Sequence, residues 1–414
     1  MNVCPQRFTE AGRNAILVFA LAWVGSSSAL AQSHLKQALV TVNTAFSFSL
    51  LKQIAREQPE KNIFISPFSV SSALQMAANG AAGQTRQEME GILGTSGMPQ
   101  AMVNQTYKDL DQSIKNQTNV ILNIANSLWY RKGFELKPEF ISCNENFYGA
   151  KVGALDFGNP QAAETINAWV DDSTHGRIKQ IISPPIKNST KVILANAIYF
   201  KGTWTYQFDK KNTHLQDFKL LNDKRKQVQM MSLHRKLDYQ QGNGFQAVRL
   251  PYSGGRLQMC VLLPDADSSV EKMLASLNSR TWRSEILAQF DNREGTLKLP
   301  RFKMDFEAEL NGALETLGMR QAFEAGEADF SRMANGPLFI SKVQQKSFVE
   351  VNEKGTEAAA TTAVIMSLTA FSPEKEKPFT MVVDHPFIFV IYDSQTESIL
   401  FTGVVYEPMD ASAE

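Results

Sequence analysis

A short apolar run followed by a helical pattern occupies the segment NIFISPFSVSSALQMAANG near the start of the chain. The run from Ile63 to Ile65 predicts a strand. Ser66 is typical of a helix N-cap, and Pro67 suits the first helical position because an N–H there would have no helical partner. The apolar positions that follow recur at helical spacing and share one face: Val70, Ala73, Leu74, Ala77, Ala78 and Ala81. The segment therefore predicts a strand that leads directly into an amphipathic helix.

Two glycines and a polar motif mark the passage to the next helix. Gly80 and Gly83 are expected to end the first helix. Thr85 and Glu88 form a T-x-x-E pattern, in which each side chain can satisfy a backbone N–H at a helix start. We therefore predict that Thr85 caps the helix that follows.

Strand patterns prevail in the second half of the chain. The run from Val192 to Phe200 is apolar at both alternating sets of positions except Asn196, as in a strand buried in the middle of a sheet. A buried Asn196 must find hydrogen-bond partners. The runs HPFIFVIYD and SILFTGVVYEP are joined by a polar turn around Ser394 to Glu397, which predicts a hairpin. Helical patterns first and strand patterns later indicate an α+β fold.

The segment EKGTEAAATTAVIMSLTAFS has an unusual composition. From Ala358 to Ser372 it contains no charge, proline or glycine, so nothing prevents it from forming a strand. Its first side chains are small, which suits a strand that must slide between two others, and Gly355 supplies a backbone pivot. An ordinary buried strand or a low-complexity loop would fit the composition equally well. An exposed, uncharged strand is an aggregation hazard, so keeping one indicates a function.

The first 31 residues have the pattern of a secretory signal. Arg7 and Arg13 precede an apolar run from Ala15 to Val24, and Ala29-Leu30-Ala31 forms an A-x-A cleavage motif. A membrane anchor is the alternative, but the run is much shorter than the ~20 residues that span a bilayer. We predict a signal peptide over residues 1–31, a mature domain over residues 32–414, and secretion to the periplasm or the extracellular space.

Composition and charge narrow the function classes. Lysine plus arginine equals aspartate plus glutamate, at 42 residues each, so no global field favours nucleic acid or an anionic membrane as a partner. No repeat and no linker rich in proline, glycine or serine divides the 414 residues. We expect one large domain.

Catalytic and metal-binding motifs are missing from the sequence. It contains no GxSxG, HExxH, Walker, GxGxxG or EF-hand pattern, and its five histidines are scattered. Cys143 and Cys260, the two cysteines beyond the predicted signal, have no metal-ligand spacing and are expected to be buried thiols. We predict no cofactor, no metal and no enzymatic activity. A triad assembled in space from distant residues is the alternative.

Eight motifs in fixed order resemble the serpin family: NIFISPFSVSSAL, GAAGQTRQEM, INAWVDDSTHGRI, NAIYFKGTW, LPRFKMDF, FVEVNEKGTEAAATTAV, DHPFIFVI and ILFTGVV. They extend from Asn62 to about Pro408. The resemblance implies one α+β domain with three β-sheets and eight to nine helices, and an exposed reactive-centre loop at about 353–379. Together with the signal pattern, it suggests a secreted prokaryotic member.

The resemblance also implies an irreversible inhibitor of serine proteases. A target protease would cleave the loop and become acylated, and the upstream half of the loop would then insert into the central sheet as a new strand. The small side chains of the predicted hinge resemble those of inhibitory members: Glu353, Gly355, Thr356, Glu357, Ala358, Ala359, Ala360 and Thr361. A non-inhibitory member that serves as a protease substrate or binding protein is the alternative.

Family spacing from Glu353 places the reactive bond between Thr369 and Ala370, with Leu368 and Met366 as alternatives. None of these residues is basic, which favours an elastase-like or chymotrypsin-like target over a trypsin-like one. The resemblance therefore implies a serine protease as the partner, in a covalent acyl complex, and a cysteine protease is left open. We expect a monomer that is capable of forming loop–sheet polymers.

Further positions match family features beneath and above the point where the central strands part. Ser66, Ser69 and Asn196 match a polar cluster under the sheet, where Gln345 replaces the histidine that is usual in the family. Arg301 and Glu353 match an ion pair at the top of the sheet, beside Trp204. Glutamine can both donate and accept hydrogen bonds, so we expect the cluster to hold without a titratable group. Plain packing and surface pairing are the alternative for all of these positions.

Overall fold

The fold is taken from a computed structural model that describes residues 11–115, 120–221, 223–356 and 377–409, with side chains from residue 33 onward. Its α-helices are α1 Ala11–Glu57, α2 Pro67–Ala78, α3 Gly83–Leu93, α4 Gln100–Lys115, α5 Pro138–Tyr148, α6 Gln161–Ser173, α7 Val270–Ser276 and α8 Asn311–Leu317. A π-helical segment spans Thr281–Ile286, and 3₁₀ turns span Lys210–Asn212, Leu287–Gln289 and Gln321–Phe323.

The described residues also form fifteen strands. These are β1 Ile63–Ile65, β2 Val120–Arg131, β3 Lys151–Leu155, β4 Val192–Thr203, β5 His214–Lys219, β6 Arg225–Gln241, β7 Phe245–Pro251, β8 Leu257–Pro264, β9 Asp291–Pro300, β10 Phe302–Glu309, β11 Ile340–Asn352, β12 Gly355–Thr356, β13 Phe379–Val382, β14 Phe387–Asp393 and β15 Ile399–Val405.

Hydrogen bonds join the strands into two continuous networks. One is a six-stranded sheet in the order β10-β11-β12-β4-β2-β3, hereafter the central sheet. The other contains nine strands, and the long strand β6 belongs to both of its parts. One part is β5-β6-β9-β13, and the second runs from β6 through β7, β8, β14 and β15 to β1. The three sheets implied by the family resemblance are therefore present, two of them joined along β6.

Two buried clusters lie on opposite faces of the central sheet. Alternate residues of β4 belong to different clusters, because successive side chains of a strand point to opposite faces. Leu194 and Ile198 belong to the larger cluster, which also includes residues of α1, α2 and the second network. Ile193 and Ala195 pack in the smaller cluster against Ile166 and its neighbours on α6. The central sheet is thus covered on both faces, as the apolar run of β4 predicts.

Several sequence predictions are confirmed. β1 and α2 occupy the predicted positions, and Ser66 caps α2 by accepting a hydrogen bond from the backbone N–H of Ser69. β4 spans the buried run, and β14 and β15 pair as the predicted antiparallel hairpin. Cys260 is a buried free thiol, whereas Cys143, also free, is only half-buried.

The predicted capping box at Thr85 is wrong. α3 already begins at Gly83, whose φ of +51° lets the chain turn into the helix, so Thr85 lies inside the first turn. The Thr85 hydroxyl instead accepts the backbone N–H of Asp329 at 2.9 Å. The Glu88 carboxylate accepts the backbone N–H groups of Arg320 and Gln321. Both side chains therefore bind the 320–329 loop, which is distant from them in the sequence.

The amino-terminal helix passes through the predicted cleavage site. α1 begins at Ala11 and continues beyond Ala31 to Glu57. From Leu39 onward, its buried side chains contribute to the larger cluster. None of the helices in the described part of the chain is both long and apolar enough to cross a membrane. The signal peptide stays a prediction.

Candidate functional site

The candidate site is the boundary between β4 and β11 in the middle of the central sheet. These strands pair directly and in parallel from Ile340 beside Val192 up to Phe348 beside Tyr199. Above that point they part, and the short strand β12 lies between them. Thr356 pairs antiparallel with Val351 on one side and with Gly202 on the other. We call this upper region the opening.

Close backbone contact holds β12 in the opening. A Cβ atom on Gly355 would lie 2.1 Å from the carbonyl oxygen of Gly202 and 2.6 Å from the Cα of Thr203, so no other residue fits there without a shift. Gly355 also has a φ of +153°, a backbone angle that residues with a Cβ atom rarely adopt. Gly202 is itself close to the Tyr252 ring, since a Cβ atom there would lie 2.6 Å from that ring.

A buried ion pair lies directly before β12. Glu353 is 2% exposed, and its Oε1 accepts hydrogen bonds from Arg301 Nε at 2.8 Å and from the Thr213 hydroxyl at 2.6 Å. Burial raises the pKa of Glu353, but the hydrogen bonds from Arg301 and Thr213 outweigh it, so the pKa lies below its ordinary value. The predicted pairing partners thus meet here, and the carboxylate is ionised at neutral pH.

Two stacked aromatic rings support the same segment. Trp204 donates its indole N–H to the carbonyl of Asn352 at 3.0 Å, and its backbone N–H to the carbonyl of Lys354 at 2.9 Å. Its ring stacks on Tyr252 with centroids 4.5 Å apart. The Tyr252 hydroxyl lies 2.8 Å from the Thr356 hydroxyl, which is fully buried. Burial therefore raises the pKa of Tyr252 and keeps it neutral.

A network of uncharged polar side chains lies lower down, where β4 and β11 still pair directly. We call it the middle network, and its members are Ser66, Ser69, Asn126, Asn196 and Gln345. Asn196 donates to Asn126 Oδ1 at 2.6 Å and also to the Ser69 hydroxyl. The side-chain oxygen Oδ1 of Asn196 accepts a hydrogen bond from Gln345 Nε2 at 2.8 Å. Every member is at most 5% exposed.

Gln345 uses both halves of its amide to join β11 to the start of α2. Nε2 donates to the Ser66 carbonyl at 3.1 Å as well as to Asn196, and Oε1 accepts the Ser66 backbone N–H at 3.4 Å. The Ser66 hydroxyl donates in turn to the carbonyl of Leu400 at 2.7 Å. β4, β11, α2 and β15 are thereby linked below the opening.

The structure thus brings the predicted residues into two groups, at the opening and in the middle network. Of the predicted hinge, Glu353, Gly355 and Thr356 are described; Glu357, Ala358, Ala359, Ala360 and Thr361 lie outside the described residues. So do the candidates for the reactive bond: Met366, Leu368, Thr369 and Ala370. No described group of three or more histidine, cysteine or acidic side chains could hold a metal ion.

Sequence reasoning missed three residues that the structure adds to these groups. Asn126 on β2 lies opposite Asn196 in the strand register, and each is a polar residue within an apolar run. That shared feature was a usable signal, since a buried amide needs a partner. Tyr252 and Thr213 carry no such signal, because they come from loops that only the fold brings to the opening.

Comparisons with known proteins agree with this arrangement. The family model described as Serpin (serine protease inhibitor) matches residues 41–408. Human leukocyte elastase inhibitor is 37% identical over 384 residues, with 89% of this chain and 99% of that protein covered. The native structure of tengpin, a thermophilic serpin, superposes with a TM-score of 0.82 at 28% identity, covering 89% of this chain and 94% of tengpin.

A structure of human thyroxine-binding globulin with its ligand also has a TM-score of 0.82, at 27% identity, and covers 91% of this chain and all of that one. The family model alone spans far more than half of the chain, and the opening between β4 and β11 lies within it. The chain belongs to the serpin family.

Proposed function

We propose that this protein is an irreversible suicide-substrate inhibitor of serine proteases. The observation that carries the proposal is β12, two residues of the loop base already paired on both sides between β4 and β11. After cleavage and acylation, the residues that follow Thr356 would continue this strand downward and carry the attached protease with them. Family membership supports protease inhibition in general, and the insertion mechanism is our inference.

The strand directions favour such an insertion. Below the opening, β4 and β11 share one parallel ladder, whereas β12 is antiparallel to both neighbours. A strand that extended β12 would replace one parallel ladder with two antiparallel ladders, and antiparallel pairing is slightly more stable per residue. The free energy released by forming the second ladder would drive the translocation.

The middle network fits the same mechanism because it controls where the strands can separate. Insertion past Gln345 requires Asn196 to lose its hydrogen bond across the β4–β11 boundary. An uncharged network lowers that cost, since separating two buried amides leaves no unpaired charge. We expect insertion to pause here until cleavage frees the loop.

The class of target protease is inferred from the residues at the proposed reactive bond. Thr369-Ala370 is proposed as the reactive bond, with Leu368 and Met366 as alternatives, and these small and medium-sized residues suit elastase-like or chymotrypsin-like primary pockets. The similarity to a human leukocyte elastase inhibitor supports the same class.

The test is incubation with pancreatic elastase and with chymotrypsin, followed by denaturing electrophoresis and mass spectrometry. We expect a complex that survives boiling in detergent, and a released peptide that begins at Ala370. The variant Thr369→Arg should redirect complex formation to trypsin, with Thr369→Ser as its matched control. Cleavage without any stable complex across the panel would refute inhibition.

A non-inhibitory binding protein is the second candidate, favoured by the structural similarity to thyroxine-binding globulin. The two functions differ in their response to loop cleavage. An inserting loop should raise the unfolding temperature markedly, whereas a loop that serves only as substrate should leave it unchanged. Limited proteolysis followed by calorimetry distinguishes them.

Secretion is proposed from the pattern of residues 1–31 alone. Amino-terminal sequencing of the protein recovered from the periplasm or the culture medium should begin at Gln32. Recovery of a chain that retains Arg7 and Arg13 from the cytoplasm alone would refute it.

A further inference from the structure

A cavity of about 530 Å³ lies at the β6–β7 turn of the nine-stranded network. Its other walls come from α7 and from residues 284–289. Its size falls in the range of small-molecule sites, which is roughly 300–1,000 Å³. β7 separates it from the opening, because Phe245 lines the cavity at one end of this strand and Pro251 precedes Tyr252 at the other. The 7 extended residues of β7 span about 20 Å, so the two sites are distinct.

Backbone contacts fix the wall that the β6–β7 turn forms. Gly242 donates its backbone N–H to the carbonyl of Phe245 at 2.8 Å, and the Phe245 ring lies so close to Gly242 that a Cβ atom there would collide with it. The carbonyl of Gly244 accepts the backbone N–H of Asp265 at 2.9 Å, which ties the turn to the end of β8. The ring of Phe245 and the side chain of Met273 therefore give the cavity an apolar surface of defined position.

Gln240 contributes an unpaired hydrogen-bond acceptor to the cavity. Its side chain is 8% exposed, and its Nε2 donates to the backbone carbonyl of Glu285 at 2.6 Å. Its Oε1 is buried and has no hydrogen-bond partner in the described part of the chain. A buried oxygen in this state costs free energy until a donor reaches it. Because Gln240 lines the cavity, a bound ligand can supply that donor.

The remaining polar groups of the walls indicate the chemistry of the ligand. The hydroxyls of Ser276 and Ser284 each donate to a backbone carbonyl of an earlier residue at 2.8 Å. Their protons are thus used, and their lone pairs remain to accept hydrogen bonds from a ligand. Lys272 and Glu285, both exposed, add one charge of each sign to the walls. These walls favour a ligand that is rich in hydrogen-bond donors and has no net charge.

We propose that this cavity binds a neutral saccharide. A pyranose ring has an apolar C–H face, which suits the ring of Phe245, and hydroxyl groups around its edge, which can donate to Gln240, Ser276 and Ser284. A sulfated sugar is disfavoured because Glu285 balances the only lysine among the lining residues described, so the walls carry no excess of positive charge. Binding here would attach the protein to a polysaccharide while leaving the opening free.

The test is titration of the full chain with maltose, cellobiose and lactose, followed by saturation-transfer NMR. We expect saturable binding of at least one of them, with a dissociation constant of about 1 mM or lower, and weaker binding of a sulfated heparin disaccharide. Ser276→Trp fills the cavity from the exposed end of α7 and should weaken binding at least about tenfold. Ala275→Trp, at the neighbouring exposed position outside the lining, is the matched control and should leave binding unchanged. Gln240→Met keeps the side-chain length without the amide and should weaken binding about fivefold.

Three results would overturn the proposal. These are no saturable binding of any of the three disaccharides, binding that Ser276→Trp leaves unchanged, and tighter binding of the heparin disaccharide than of all three. Because Ser276 is exposed, its variant is expected to fold even if Gln240→Met does not, and the unfolding temperature of each variant checks this. The titrations use no protease, so they decide the site whether or not the chain is an inhibitor.

Discussion

The opening and the middle network lie along the same boundary between β4 and β11, yet they are built from different groups. The opening already holds a strand, and it contains a buried ion pair and two stacked aromatic rings. The side chains of the middle network, which link the two strands, are all hydroxyls and amides. In the opening a strand lies between β4 and β11, whereas at the middle network these two strands pair directly.

The proposed function would account for this difference through the polar groups of each region. Glu353 can stay ionised at the opening because Arg301 and Thr213 satisfy its charge and β12 need not move away. A charge in the middle network would be left unpaired whenever the strands separate, at a cost of several kcal/mol. Uncharged partners lose only about 1 to 3 kcal/mol per unsatisfied group. Four substitutions test this contrast.

The largest effect is expected at Thr356, the second residue of β12. Thr356→Arg would place a charge in the fully buried pairing position between Val351 and Gly202, where no acid lies within the pairing ladder. We expect inhibition to fall about 100-fold or more, with the loop cleaved as a simple substrate. The measurement is the ratio of stable complex to cleaved inhibitor.

Thr356→Ser is the matched control, because it keeps the hydroxyl that contacts Tyr252. The rate at which this variant inhibits the protease should stay within about threefold of the parent's, since the size and polarity of the side chain change little. An arginine variant that traps elastase at the parental rate would show that β12 is not where insertion begins.

The second effect concerns the middle network. Asn196→Leu removes the residue that links Asn126, Ser69 and Gln345, so each of these buried side chains loses one hydrogen bond. We expect the free energy of unfolding to fall by about 3 kcal/mol, as measured by urea denaturation. The exposed residue Asn292 on β9 provides the control, where Asn292→Leu should cost less than about 0.5 kcal/mol. Equal losses would mean that the network contributes no more than a surface pair.

The third effect concerns the ion pair at the opening. Glu353→Gln should lower the free energy of unfolding by about 2 kcal/mol at neutral pH, because a charge-assisted hydrogen bond is lost. The pKa of Glu353 is lowered in the fold, so its stabilisation is complete above its ordinary value of 4.5 and is lost as pH falls through the folded pKa. Urea midpoints measured from pH 7 to pH 3 should therefore decline less steeply in the variant. Parallel acid profiles would contradict this assignment.

The smallest effect at neutral pH is expected from Gln345→His. A neutral imidazole can donate one hydrogen bond and accept another, so we expect a change within about 1 kcal/mol. A histidine held neutral by burial has a lowered pKa, and the variant should therefore lose stability as pH falls below about 6.5. The parent network, which has no titratable group, should not. Gln344→His, one residue away on β11, is the control.

The sequence predicted the structure best where the local pattern of apolar and turn residues determines the element. The strand and helix around Ser66, the buried strand around Asn196 and the final hairpin follow from apolar periodicity and turn residues, which are local. The prediction that Thr85 caps α3 was wrong because the side-chain oxygen atoms of Thr85 and Glu88 accept backbone N–H groups of a distant loop instead of those at the helix start. β12 could not be located either, since two residues carry no periodicity and their place depends on where β4 and β11 part.

The residues around each site show the same limit. Resemblance to the family placed Arg301 near Glu353, but nothing in the sequence joins Thr213 or Tyr252 to them. Their partners are more than 100 positions away. A contact of that kind becomes visible only when the sheets are assembled.

The close approach of Gly355 to Gly202 has a consequence for strand register. Any side chain at position 355 would push the backbone away from β4, and the strand could recover its pairing only by slipping along it. A slip of one residue turns every later side chain to the opposite face of the sheet. The contact between these two glycines therefore fixes in advance which of the residues after Thr356 would face α6 and which would face the core.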